Sequence, residues 1–143
     1  MKSLKIKDIS VKAKQGQYGI VFTSWNPSIV QDLLKETKKE LVRQGVDEAN
    51  IFLKEVPGAF ELPLATQFMA EKEGILSVIS LGAIIRGDTP HFDFISSSCL
   101  EGLQEVSLKT RIPVICGVLT TNTIEQAEER SNPNKMNKGK EFA

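Results

Sequence analysis

Short strand-forming runs alternate with longer segments whose apolar residues recur at helical spacing, and this alternation constrains the fold more than any other feature of the chain. Runs rich in β-branched and aromatic residues are typical of strands. Strands that alternate with helices predict a parallel sheet covered on both faces, with right-handed crossovers. The predicted strands are YGIVFT (18–23), IFLKEV (51–56), ILSVISL (75–81) continuing into 83–85, and PVICGVL (113–119).

Helix signals separate these strands. Asn26 offers a helix cap, Pro27 suits the first helical position, and Gly45 ends the apolar periodicity that follows. Further helices are predicted from about 58–63 to 73, from 90 to 110, and from about 123 onward. The expected fold is therefore an α/β three-layer sandwich of the flavodoxin-like kind, with a four-stranded parallel sheet flanked by helices.

The length and charge of the chain narrow the class of protein. A chain of 143 residues is expected to form one domain, residues 1–143. Its 18 basic and 18 acidic residues balance, which argues against nucleic acid or an acidic membrane surface as a partner. No segment is apolar enough to span a membrane or to act as a secretory signal, so a cytoplasmic protein is expected.

Two minor features have simple readings. The lysine-rich start of the chain, residues 1–14, is either a solvated tail or edge strand, since lysines guard exposed edges, or a binding patch. Cys99 and Cys116 are isolated, without C-x-x-C spacing, and the chain has 1 histidine. A metal site is therefore not expected, and both cysteines are expected to be small buried hydrophobic residues.

Ligands of parallel α/β sheets bind beyond the carboxyl ends of the strands, which directs attention to residues 23–27, 56–61, 83–91 and 116–123. In the first stretch, Trp25 could stack on a planar heterocycle beside the amide of Asn26, or the two could plug a gap and cap a helix. In the second, Glu61 could bind a ligand or serve only the helix start that it occupies.

The third stretch, GAIIRGDTPHFDFI (82–95), ends a strand with polar groups of different kinds. Pro90 suits the first helical position with Thr89 as the cap, so free backbone N–H groups near 87–91 would form an anion site. His91 would lie in the first turn, where the helix dipole favours a neutral imidazole that can accept and return a proton. Asp88 is expected to cap or to point away, and Arg86 is expected to be structural.

In the fourth stretch, Thr123 and Gln126 fit a capping box. Arg130 follows later in the same predicted helix, and Lys138 lies in a polar segment beyond it. Each has two readings: Arg130 could bind a phosphate bidentately, or it could pair with its own helix or with solvent, and Lys138 is ambiguous in the same way.

Four segments together carry a resemblance. VPGAFELP (56–63), GAIIRGDTPHFDF (82–94), PVICGVLTTNTIEQAEER (113–130) and NKG (137–139) resemble, in order and spacing, the signature segments of the 6,7-dimethyl-8-ribityllumazine synthase family. The resemblance implies condensation of 5-amino-6-(D-ribitylamino)uracil with 3,4-dihydroxy-2-butanone 4-phosphate, through an imine, with release of phosphate and water. It implies no metal or redox cofactor.

The resemblance also implies roles for particular residues. His91 would transfer protons. The butanone phosphate would bind at Gly87, Asp88, Thr89 and Arg130. The ribitylaminouracil would bind at Trp25, Asn26, Ala59, Phe60, Glu61, Ala83, Ile84, Ile85, Cys116 and Lys138.

Family members assemble as pentamers, and some as sixty-subunit shells, with sites between subunits. Cys116, Arg130 and Lys138 would then complete the neighbour's site, and the N-terminal segment would add a strand to the neighbour's sheet. Riboflavin synthase is a candidate partner.

The chain departs from the family pattern in three places. Cys116 replaces a bulkier, often aromatic residue, Trp25 replaces the usual phenylalanine, and the sequence stops at Ala143, early in a final helix that is therefore expected to be short or truncated. Two alternatives to the enzyme stay open: a flavin- or nucleotide-binding module, and a shell-forming scaffold with little activity. The combination of Glu61, His91 and Arg130 favours catalysis.

Overall fold

The structure, a computed structural model, describes residues 15–143. Four strands form one all-parallel sheet in the order β2-β1-β3-β4. The strands are β1 (Gln17–Thr23), β2 (Ile51–Val56), β3 (Ile75–Ile85) and β4 (Val114–Thr121). The predicted fold class is confirmed for these residues, whereas the predicted N-terminal strand that would join a neighbour's sheet lies outside them.

Helices cover both faces of the sheet. The helices are α1 (Pro27–Arg43), α2 (Leu62–Ala70), α3 (His91–Thr110), α4 (Ile124–Ser131) and α5 (Lys138–Phe142). One core cluster packs α1 and α4 on one face, and Phe142 of α5 joins it. A second cluster packs α2 and α3 on the opposite face. This division into two apolar layers on either side of the sheet is the predicted three-layer sandwich.

The helix boundaries follow local chemistry, with small corrections. Gly45 ends α1 as predicted, because it adopts φ 103, a left-handed conformation that costs glycine little. The prediction that Thr89 caps a helix starting at Pro90 is wrong by one residue: Pro90 occupies the cap position, and α3 begins at His91. Such shifts of one residue are ordinary at helix ends.

Segment 132–143 folds back onto α1 and holds the end of the chain in place. Asn137 donates from Nδ2 to Glu36 Oε2 at 3.0 Å, and the buried hydroxyl of Thr37 donates to the carbonyl of Gly139 at 2.8 Å. A Cβ at Gly139 would lie 2.6 Å from the backbone oxygen of Leu33, so only glycine allows this approach. The short helix α5 therefore depends on the glycine of the NKG segment.

Candidate active site

A cavity of about 550 Å³ opens where the carboxyl ends of β1, β2 and β3 meet the start of α3. It lies where parallel α/β sheets bind ligands. Its lining contains most of the residues that the resemblance implicates, and these come from three strand ends and one helix. They are Trp25, Asn26, Ala59, Phe60, Glu61, Ala83, Ile84, Ile85, Gly87, Thr89 and His91.

The loop after β1 holds an aromatic ring at the mouth of the cavity. Trp25 is 72% exposed, so it does not plug a gap in the core. Its backbone N–H donates to the carbonyl of Pro57 at 3.3 Å, which ties the loop to the end of β2. A flat, exposed and anchored ring of this kind is suited to stacking on a planar ligand.

Asn26 occupies the predicted cap position before Pro27, but its side chain has another partner. Its backbone is left-handed, with φ 55, and its side chain makes no capping hydrogen bond. The side-chain Nδ2 instead donates to the carbonyl of Ala83 at 3.0 Å, across 57 positions of sequence. The predicted cap position is therefore confirmed, but the side-chain amide joins the loop after β1 to the end of β3 instead of capping the helix.

The segment after β2 forms a short 3-10 turn, Ala59–Glu61, before α2. Glu61 Oε2 accepts a hydrogen bond from the Gly58 N–H at 3.0 Å, so the helix-start interpretation of this carboxylate is confirmed. Phe60 is 66% exposed and faces the cavity mouth as a second large apolar group. The turn thus presents an apolar ring and a carboxylate side by side.

The loop that leads into α3 leaves its backbone donors open. Within residues 15–143, the N–H groups of Gly87, Asp88 and Thr89 have no acceptor. They precede a helix of 20 residues, whose N-terminal end carries partial positive charge. A Cβ added at Gly87 would meet nothing within 4 Å, so the space beside the loop is open. Open donors, a helix start and free space together suit an anion.

His91 is the first residue of α3 and lines the cavity. Its ring is exposed and makes no hydrogen bond to any residue in the described range. The backbone N–H of His91 donates a long hydrogen bond to the Thr89 hydroxyl, at 3.4 Å. An imidazole without a protein partner, beside an open anion loop, is free to exchange a proton with a ligand.

Arg86, for which the sequence predicted a structural role, joins three segments next to the cavity. Its guanidinium forms a bidentate pair with Asp93, from Nη1 to Oδ2 at 3.0 Å and from Nη2 to Oδ1 at 2.9 Å. Nε donates to Asn122 Oδ1 at 3.0 Å, and the same group lies 4.3 Å from the ring centroid of Phe92. Its hydrogen bonds hold the pKa of the Asp93 carboxyl below its usual value.

Four residues that the resemblance implicates lie outside the cavity lining: Asp88, Cys116, Arg130 and Lys138. Arg130 Nη1 donates to the carbonyl of Gln126 at 2.9 Å, within its own helix. Lys138 pairs with Glu141, from Nζ to Oε2 at 2.6 Å. The interpretations that pair these cations locally therefore hold within the single chain.

The prediction that both cysteines are buried is half wrong. Cys99 is buried on α3, where burial raises the pKa of its thiol to about 12. Cys116 is exposed, because β4 forms an edge of the sheet.

The predicted capping box at the start of α4 is only partly present. The Gln126 N–H donates to Thr123 Oγ1, but the Gln126 side-chain oxygen accepts from the backbone N–H of Asn122.

The sequence analysis assigned no role to several residues of the cavity lining: Thr23, Pro57, Phe92 and Ile95. Thr23 is 2% exposed, and its hydroxyl has no hydrogen-bond partner in the part of the chain that the structure describes. A threonine at the last position of a predicted strand was the available signal. Ile95 follows His91 by four residues and Phe92 by three, so helical spacing would have placed it on the same face of α3.

The arrangement has three chemical capabilities. Trp25 and Phe60 offer apolar faces to a planar ring, the loop 87–89 offers donors to an anion, and His91 offers a proton acceptor in the same cavity.

No group of three or more histidine, cysteine or acidic side chains within 15–143 is placed to hold a metal ion. The same range contains no helix that is long and apolar enough to cross a bilayer.

A comparison with known protein families confirms the resemblance found in the sequence. A family model described as 6,7-dimethyl-8-ribityllumazine synthase matches residues 15–143.

Proposed function

The chain belongs to the 6,7-dimethyl-8-ribityllumazine synthase family, and from that premise we propose how its cavity divides the two substrates of the reaction. The enzyme is a transferase of riboflavin biosynthesis. It condenses 5-amino-6-(D-ribitylamino)uracil with 3,4-dihydroxy-2-butanone 4-phosphate to 6,7-dimethyl-8-ribityllumazine, and it releases phosphate and water.

The ring of the ribitylaminouracil lies against Trp25 and the end of β3, at Ala83–Ile85. Support comes from the exposed indole and from the apolar strand end, which line the same cavity. The ribityl chain extends toward Ala59–Glu61, where the Glu61 carboxylate can accept hydrogen bonds from hydroxyl groups. The Thr23 hydroxyl has no partner among the described residues, and Thr23 lines the cavity, so a ligand can form the missing hydrogen bond.

The phosphate of the second substrate binds at the loop 87–89. The open N–H groups at the start of α3 are the observation that carries this assignment. The same donors stabilise the phosphate as it accumulates charge and leaves. His91, between the loop and the ring site, moves protons during imine formation and elimination.

Arg130, Lys138 and Cys116 act in the site of a neighbouring subunit. Within residues 15–143 their side chains lie off the cavity of their own chain, so they are free to face another copy. Members of the family typically form oligomers, and we propose a pentamer as the unit, with a sixty-subunit shell and riboflavin synthase as candidate further partners. Exposed apolar side chains on α2 and α3 support an interface: Leu64, Phe68, Phe94, Leu100 and Leu108.

The direct test mixes both substrates with the protein and follows the absorbance of the lumazine. The expected result is a rate well above that of the spontaneous reaction in the same buffer. A rate equal to the spontaneous reaction would overturn the proposal and favour a binding module or an inactive scaffold. Sedimentation of the same sample distinguishes a pentamer from a larger shell, and fractionation of cells tests the cytoplasmic location that we propose.

A further inference from the structure

Arg86 anchors both ends of the anion loop, residues 87–90. Its backbone N–H donates to the carbonyl of Thr121 on β4 at 2.9 Å, which fixes the start of the loop to the sheet. Its guanidinium grips Asp93 in the first turn of α3, which fixes the end of the loop. The four residues between these anchors, 87–90, are all exposed, and three of them leave their N–H groups without acceptors. Few other interactions restrain this segment.

The pair is poorly placed to serve global stability. The Arg86 and Asp93 side chains are 40% and 57% exposed, and exposed ion pairs contribute little to folding. Its geometry is nevertheless well defined, since the two hydrogen bonds are parallel and a third goes from Nε to Asn122. A rigid fork with little effect on folding is suited to fixing local geometry.

The same guanidinium reaches two further parts of the site. It lies over the ring of Phe92, 4.3 Å from the centroid, and Phe92 is a wall of the cavity. Asn122 precedes α4, the helix that carries Arg130. The Arg86 side chain therefore contacts Asp93 in the first turn of α3, a cavity wall and a residue just before α4, the helix that carries Arg130.

We propose that Arg86 is a positioning residue, which keeps the loop 87–90 and Phe92 in the conformation that binds the phosphate-bearing substrate. This inference rests on the proposed division of substrates in the cavity. Arg86 does not line the cavity, so it acts through the loop and not by touching the substrate. Without the fork, the loop samples other conformations, and apparent affinity falls in proportion to the fraction that remains competent.

The test compares Arg86→Lys, which keeps the charge but loses the fork, with Asp93→Asn and with the control Lys38→Ala. Lys38 forms an exposed ion pair with Glu48 at 3.3 Å, away from the cavity. For both loop variants, KM for the butanone phosphate should rise about tenfold if the competent fraction falls to about a tenth. KM for the ribitylaminouracil should stay unchanged, and the melting temperature should move by less than about 3 °C. Lys38→Ala should change neither KM.

Equilibrium binding of inorganic phosphate gives a readout that does not need turnover. Arg86→Lys should weaken it by a factor similar to the rise in KM. Unchanged phosphate affinity in both loop variants would overturn the proposal, as would equal losses for both substrates together with a large fall in melting temperature. If the wild-type protein binds phosphate in an Arg86-dependent way but forms no lumazine, the proposed function fails and the positioning role stands.

Discussion

The residues that resemble the family's substrate-binding set lie in two regions of this chain, and the two regions treat their polar groups differently. The cavity region, at the ends of β1–β3 and the start of α3, has donors and acceptors with no partner among residues 15–143, including the N–H groups of 87–89 and the ring of His91. The outer region, on β4, α4 and α5, pairs its cations locally, as in Lys138 with Glu141. Unpaired polar groups are costly unless a ligand or water satisfies them.

This difference indicates what each region requires. The cavity region is preorganised, because hydrogen bonds such as Asn26 to Ala83 fix its walls while its inner groups stay open. In the outer region the cations form local pairs. They would release these partners only to bind a ligand that is held by a second subunit. The comparison therefore predicts that one site needs both regions, contributed by two copies of the chain.

The largest expected effect comes from disrupting one of the two regions at a time. Arg130→Ala removes the outer cation, and Gly87→Phe fills the open space beside the anion loop. Each variant should lower kcat/KM for the butanone phosphate about 100-fold, equivalent to about 2.7 kcal/mol, as expected for loss of hydrogen bonds to a charged group. Lys135→Ala, which removes an exposed cation near α4, should have little effect. The measurement is steady-state kinetics with the second substrate saturating.

Mixed assemblies of these two variants distinguish a shared site from a site within one chain. If each site takes one region from each of two subunits, co-refolding equal amounts should restore about a quarter of wild-type activity, because about a quarter of the sites combine two intact regions. Activity no higher than the sum of the separate variants would show that the two regions do not meet between subunits.

The second expected effect contrasts a glycine of each region. Gly139→Ala should lower the free energy of unfolding by about 2 kcal/mol, because its Cβ would overlap the backbone of α1 and overpacking of this kind is costly. Gly87→Ala is the matched control, since its Cβ meets nothing, and it should change stability by less than about 0.5 kcal/mol. Urea unfolding measures both. Equal stabilities would contradict the proposed dependence of α5 on Gly139.

Much of the fold could be predicted from the sequence because the strand and helix periods are strong. The runs at 18–23 and 51–56 became β1 and β2 with changes of at most one residue at their ends. A short or truncated final helix was expected, but the bounds of α5 were not predicted, since its five residues carry too little periodic signal and it depends on distant contacts with α1. The exposure of Cys116 was mispredicted, because the order of strands decides which strand lies at an edge.

The candidate site divides in the same way. Residues in a loop after a strand, such as Trp25, or at the start of the next helix, such as His91, could be placed at one edge of the sheet by topology alone. The partners of Asn26 and Arg86 could not, because those hydrogen bonds join segments distant in sequence and depend on three-dimensional register. Thr23 was missed because its position at a strand end is only a weak signal, and the lack of a hydrogen-bond partner in the described residues becomes visible only in the structure.

The third expected effect tests the proton transfer assigned to the cavity region. His91→Ala should lower the single-turnover rate about tenfold, about 1.4 kcal/mol, at the low end for acid–base groups because orientation of the substrates survives. Ser98→Ala, on an exposed position of the same helix, should keep the wild-type rate. The melting temperature of both variants should match the wild type, since the His91 ring has no protein partner in the described residues. Full turnover in His91→Ala would remove the proton-transfer role.

The smallest expected effect lies outside both regions, where the buried carboxylate of Glu40 stabilises α1. Hydrogen bonds from Arg43 lower the pKa of Glu40 from 4.5 to about 2, although burial acts in the opposite direction. Because the folded pKa lies below the unfolded one, the ionised carboxylate stabilises the fold above pH 4.5, and this stabilisation is lost as the pH falls toward 2. Arg43 is 63% exposed, so solvent screening reduces the contribution to about 1 kcal/mol.

Glu40→Gln should therefore be less stable than wild type at pH 7, and the difference should shrink as the pH falls through this window. Urea unfolding at several pH values between neutral and 2.5 measures it. At pH 7 the variant should keep wild-type kcat and KM, because Glu40 belongs to α1 and does not line the cavity. A pH-independent difference would mean that Glu40 acts through packing alone. A change in KM with unchanged stability would contradict the inference that Glu40 contributes to the stability of the fold and that the chemistry depends on the cavity.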